Sequence, residues 1–137
     1  MHLLITNRDE GVIHLAKDFW SFRVPLPTPI DNFYGLYEVA LLSVMWNPPM
    51  THPSTAPFGI VIEVEGLCEP VPFPCAGRQC YLLYALKGHD QPLFPWYVNM
   101  PRGYVSTVEV RMTTLEGNLL PTLDMNVLLV LEVRTKK

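Results

Sequence analysis

Charge is scarce in this sequence. Asp, Glu, Lys and Arg make up 17% of its 137 residues, against ~25% in most soluble domains. Ten basic and thirteen acidic side chains leave a net charge of −3. The basic residues are scattered, and their one cluster is the tail Arg134, Lys136 and Lys137. A nucleic-acid binder needs a basic face, so no nucleic-acid partner is expected beyond that foothold. Cysteine is scarce as well. Cys68, Cys75 and Cys80 are an odd set, so at least one thiol is free or pairs between chains. Reduced thiols in a cytosol-made protein are the plain expectation. No apolar run nears the ~20 residues of a membrane-spanning helix, so no membrane partner is expected. The opening residues reach Arg8, Asp9 and Glu10 too early for the apolar core of a signal peptide, and none is expected.

Chemical motifs are absent too. There is no nucleophile elbow, phosphate-binding loop or dinucleotide fingerprint. His2, His14, His52 and His89 lack the spacing of a helical metal pair. The three cysteines are separated by six and four intervening residues, wider than the close pairs of structural zinc sites, so zinc held with His52 or His89 is disfavoured. Cys80, in a strand pattern, reads as a small core residue. Cys68 and Cys75 flank a loop and could bridge under oxidising conditions. No cofactor, metal site or catalytic residue is assigned, and the chain does not read as an enzyme.

What the chain has is proline and apolar residues in alternation. Fourteen prolines sit mainly between runs rich in Val, Ile, Leu, Tyr and Phe. Proline lacks a backbone N–H and fixes φ, so it breaks helices and avoids central strands. Strands are expected at 2–5, 12–15, 19–26, 35–46, 58–65, 78–86, 104–114 and 126–134, and 93–98 reads as a short aromatic segment. In the third, Trp20, Phe22, Val24 and Leu26 form the inward face, and the series Pro25, Pro27, Pro29 is expected to end it. The stretch 35–46 is apolar on both sides and reads as a doubly buried strand. Residues 104–114 alternate most cleanly. About eight strands with frequent turns predict an all-β fold, an antiparallel β-sandwich of the eight-stranded jelly-roll kind. Residues 1–137 read as one domain, with 1–15 either an arm ordered by assembly or the first strands.

Two segments carry a family resemblance. The first, Phe19 to Pro48, has an aromatic start, then Phe22-Arg23-Val24-Pro25-Leu26-Pro27, Pro29-Ile30, Gly35 and Tyr37-Glu38-Val39-Ala40-Leu41, and a Trp/Pro end. The second, Tyr97 to Arg134, opens on Tyr97-Val98 and continues with Ser106-Thr107-Val108-Glu109-Val110-Arg111, Gly117-Asn118-Leu119-Leu120-Pro121 and Leu129-Val130-Leu131-Glu132-Val133-Arg134. In this order they resemble a small capsid-associated protein of polinton- and adintovirus-like DNA viruses. The resemblance covers about half of the chain. Residues 50–90 lie outside it, and Thr122 stands where the family pattern has Phe. It implies a jelly-roll minor capsid protein, penton-like, at the vertex of an icosahedral virion. Such a protein would be made in the host cell, assemble with itself as a pentamer and contact a major capsid protein.

Two groups of residues remain for those roles. Glu38 sits in an apolar strand and needs a partner, for which Arg23 and Arg111 are the candidates; a structural ion pair is favoured over a catalytic acid. The aromatic-proline segments supply interface candidates: Trp46, Pro48 and Met50 in one, Phe94, Trp96 and Tyr97 in the other. Trp, Tyr and Met are enriched at interface cores. The rival reading is a β-sandwich module that binds a carbohydrate or protein ligand through exposed aromatics such as Trp46 and Trp96. A histone-chaperone-like pentamer would want a long acidic tract, which is missing.

Overall fold

The computed structural model describes residues 1–47, 60–73, 78–80, 82–86, 95–114, 118–121 and 126–136; at 46–47, 71–73, 78–80 and 82–86 it describes backbone only. Eleven strands are defined: β1 (His2–Thr6), β2 (Ile13–His14), β3 (Ser21–Asn32), β4 (Tyr37–Asn47), β5 (Ile60–Glu65), β6 (Val71–Phe73), β7 (Arg78–Cys80), β8 (Leu82–Leu86), β9 (Val98–Asn99), β10 (Gly103–Thr113) and β11 (Asn126–Thr135). Among the described residues there is no helix. One sheet has the order β1-β11-β4-β9 and the other β2-β3-β10-β5-β8, with β6-β7 as a separate hairpin. Every pairing between these strands is antiparallel. The fold is therefore an all-β sandwich, as the alternation predicts.

The alternation also selects the core. Trp20, Phe22, Val24 and Leu26 are all buried, as are Val108, Val110 and Met112 opposite them and Leu129, Leu131 and Val133 on the facing sheet. These join Ile60, Ile62 and Val64 of β5 in one hydrophobic cluster. Fully burying each such side chain stabilises the fold by roughly 1.5–3 kcal/mol before entropy is charged.

Three details refine the sequence expectation. First, the prolines do not end β3, which continues to Asn32. Beyond Arg23, the last residue that β2 pairs, the outer edge of β3 has no partner among the described residues. Pro25 faces Thr107, and β3 then advances five residues to Ile30 while β10 moves back two to Val105. Pro27 and Pro29 occupy that offset, where the ladder asks for no N–H. Secondly, β4 carries an extra residue, Leu42, between Leu41 opposite Leu131 and Ser43 opposite Val130. The phase flips there, so Val39 and Leu41 before it and Val44 after it are all buried. Thirdly, of the arm and first-strand readings of residues 1–15, the structure has strands. β1 pairs along β11 from His2–Glu132 to Thr6–Leu128, with Leu3 and Ile5 in the core. The Met1 ammonium donates to the Val133 carbonyl at 3.0 Å.

Candidate functional site

The turn between β3 and β4 is the most constrained surface feature. Asn32 is buried and uses its whole amide. Its Nδ2 donates to the carbonyls of Met100 at 3.3 Å and Pro101 at 2.8 Å, and its Oδ1 accepts from Tyr37 N at 3.1 Å. Its backbone carbonyl accepts from Gly35 N at 3.0 Å, and Asp31 Oδ1 accepts from Phe33 N at 3.1 Å. Gly35 has φ +67°, and a Cβ there would lie 3.0 Å from Arg102 Nε. Left-handed φ and close approach both favour glycine. Lys136 closes the far side, with its N donating to the Leu36 carbonyl at 2.8 Å and its Nζ to the Gly35 carbonyl at 3.2 Å.

This frame holds large apolar side chains out in solvent. Phe33 and Tyr34 are 68% and 73% exposed, and their rings meet edge-to-face at 5.1 Å. Leu36 and Tyr104 are exposed beside them; Tyr104 pairs with Asp31 across β10 and β3. Nearby, an open groove of about 500 Å³ is lined by Pro29, Ile30 and Asp31 of β3, Tyr37 of β4, Val133, Arg134 and Thr135 of β11, and Met1. Its size suits a small ligand and its walls mix apolar with charged groups. Sequence patterning misses this ridge because turn residues carry no periodicity. The adjacent pair Phe33-Tyr34 just before Gly35 was the one available signal.

A second arrangement lies on the outer face of the β1-β11-β4-β9 sheet. Register sets His2 beside Glu132, Glu132 beside Ala40, and Arg134 beside Glu38. His2 Nε2 lies 3.4 Å from Glu132 Oε2, and the Tyr97 hydroxyl donates to Glu132 Oε1. Arg134 lies over the Tyr97 ring, 3.3 Å from its centroid, and its Nε donates to Glu38 Oε1 at 2.8 Å. The Tyr97 hydrogen bond holds the Glu132 carboxyl below its ordinary value of 4.5, with His2 adding to the effect. The same bond raises Tyr97 above 10.0. The bond to Glu38 raises Arg134 further. These are structural contacts between strands.

The partner expected for Glu38 is corrected by this network. Glu38 pairs with Arg134, on the adjacent strand of its own sheet. Arg23 and Arg111 belong to the opposite sheet. Arg23 Nη2 lies 2.6 Å from Glu109 Oε1, and Arg111 stands opposite Ser21 and Glu63 in register.

The interface candidates divide. Trp46 lies on β4 opposite Val127, and its side chain lies outside the described residues. Pro48, Met50 and Phe94 lie outside them altogether. Trp96 is half-exposed. Tyr97 is committed to the inter-strand network, so it belongs to the fold more than to a contact surface. β9 aligns Val98 with Val39 near the start of β4, whereas Trp46 sits near its other end. Cys68 is a free thiol in the core, and burial pushes it up to about 12; Cys75 lies outside the described residues. Among the described residues, no group of three or more His, Cys, Asp or Glu could hold a metal ion. Comparison with protein-family models, with curated proteins and with solved structures finds no match for the chain.

Proposed function

We propose that this protein is a structural subunit of an icosahedral viral shell: a jelly-roll minor capsid protein, penton-like, that assembles with itself and contacts a major capsid protein in the virion. What carries this reading is the strand order. Setting aside β2, which only extends the edge beside β3, and the separate β6–β7 hairpin, the eight remaining strands nest as one long hairpin. The first pairs with the last (β1 with β11), then β3 with β10, β4 with β9, and β5 with β8. Rolling such a hairpin brings β11 against β4 and β10 against β5, and both of those pairings are present. A rolled double Greek key is the plan of jelly-roll domains, among them viral capsid and lectin domains.

The segments that carry the sequence resemblance fall on this framework in pairs. Val24 and Arg23 of the first segment face Val108 and Glu109 of the second. Glu38 and Ala40 face Arg134 and Glu132. The resemblance is thus carried by one strand pair in each sheet. Solution mass by light scattering tests the proposal. A discrete species near five times 15.6 kDa supports a vertex capsomer. A monomer at every accessible concentration removes self-assembly.

A ligand-binding module is the second reading. The observation favouring it is the groove beside Phe33, Tyr34 and Tyr104. It expects a monomer whose aromatic fluorescence changes on titration with an oligosaccharide panel, and a silent titration removes it.

A further inference from the structure

We infer that this chain meets a second copy of itself head to tail, through two different apolar patches at opposite ends of β3. The inference rests on the self-assembly proposed above and names the surfaces that would perform it.

The first patch is the Phe33–Tyr34–Leu36–Tyr104 ridge at the Asn32 end of β3. Its charged neighbours are mostly basic. Arg102 packs against Gly35, and Lys136 binds the Gly35 carbonyl. Among the described residues beside it, the Asp31 carboxylate already accepts from Phe33 N. The second patch lies where β2 pairs with Phe22 and Arg23 near the start of β3. There Ile13, Leu15 and Phe19 are 54%, 43% and 42% exposed. The neighbouring loops carry exposed Asp9, Glu10 and Asp18. Against these stand Lys17 and Arg8, the latter hydrogen-bonded to Asn126 Oδ1.

Each patch is therefore an exposed apolar centre with a charged rim, and the rims are of opposite sign. Single exposed apolar residues are ordinary, but clusters rimmed by charge mark association surfaces. The frame around Asn32 removes much of the ordering cost on one side, because the ridge is already held in place. A two-fold contact of either patch with itself is disfavoured, since the majority charges of like rims would face each other. A patch meeting its unlike counterpart generates a ring where the rotation closes, which is the symmetry a vertex capsomer needs.

The test uses the whole chain and three charge-altered forms, with mass measured across a concentration series. Arg102→Glu with Lys136→Glu makes the first rim acidic. Asp9→Lys, Glu10→Lys and Asp18→Lys make the second rim basic. The third form carries all five changes. If wild type assembles, each half-altered chain should need at least about tenfold more protein to assemble, because like charges then face each other. The five-fold variant should regain assembly, which also shows that the altered chains still fold. Mixing the two half-altered chains should restore association. Assembly of wild type with either half-altered chain unaffected overturns the head-to-tail contact while leaving the shell proposal standing. So does loss in both half-altered chains with no recovery in the five-fold variant or the mixture. A wild type that stays monomeric removes the self-assembly proposed above and overturns the contact with it.

Discussion

Replacing Asn32 by Ala should unlock the β3–β4 turn. Three hydrogen bonds disappear together. The Met100 carbonyl is buried, and the Pro101 carbonyl and Tyr37 N–H are part-buried. A buried polar group left without its partner costs about 1–3 kcal/mol, and a half-buried one less, since water reaches it. The sum is about 3 kcal/mol, or roughly 10 °C in Tm for a domain of this size. Thermal and urea melts of the two proteins measure it. Asn32→Asp sharpens the test. It keeps the acceptor for Tyr37 N but aims a carboxylate at the Pro101 carbonyl, 2.8 Å from the present Nδ2. At neutral pH it should be at least as damaging as Ala. At acid pH the protonated carboxyl can donate again, so it should gain on Ala there. A Tm within about 2 °C of wild type for Asn32→Ala would refute the reasoning, because the loss of a buried bond alone exceeds that.

Other outcomes follow from the same geometry. The Tyr97–Glu132 bond makes stability fall at both pH extremes. Glu132 is lowered from 4.5, so its contribution is full above 4.5 and fades as pH drops through the lowered value. Tyr97 is raised from 10.0, so its contribution is full below 10.0 and fades as pH climbs through the raised value. Tyr97→Phe should flatten both limbs of a plot of Tm against pH; an unchanged acid limb would separate the two residues. Glu38→Gln should lower Tm, more at low salt than at high, because its partner Arg134 is reached by solvent; equal loss at both salts would remove the ion-pair reading. Gly66→Ala should destabilise by about 1–3 kcal/mol: Gly66 has φ +105°, and a Cβ there lies 3.2 Å from the Thr107 carbonyl oxygen. With Cys75 and Cys80 changed to Ser, Cys68 should resist thiol reagents at mildly alkaline pH until the protein unfolds, since its thiol sits near 12; prompt labelling of the folded protein would contradict its burial.

The strands and the inner face of β3 were legible because a half-buried strand must alternate, and Trp20 to Leu26 does so. The run 35–46 was legible as a strand but not in its faces. The extra Leu42 is a property of the β4–β11 pair, visible only when both strands are in register. The same holds for β10. Val105 is buried along with Val108, which a strict period of two forbids. The offset opposite Pro25–Ile30 makes it possible. The need of Glu38 for a partner could be read from its apolar neighbours. Which arginine answers it is decided by the sheet each strand joins, and Arg134 stood far off in sequence. The aromatic ridge was the least legible, since a turn is recognised by its Gly and Asn rather than by what it displays.

The prolines of β3 carry one more consequence. A sheet grows into a fibre by offering a row of N–H and C=O groups to the next chain. Pro25, Pro27 and Pro29 have no N–H to offer an incoming strand, along an edge that past Arg23 has no partner among the described residues. Backbone polymerisation is thereby barred on this side of the molecule. Copies crowded together can join there only through side chains, whose contacts form and dissolve with salt and pH while every strand stays folded. The stiff, proline-rich edge thus separates orderly association from aggregation.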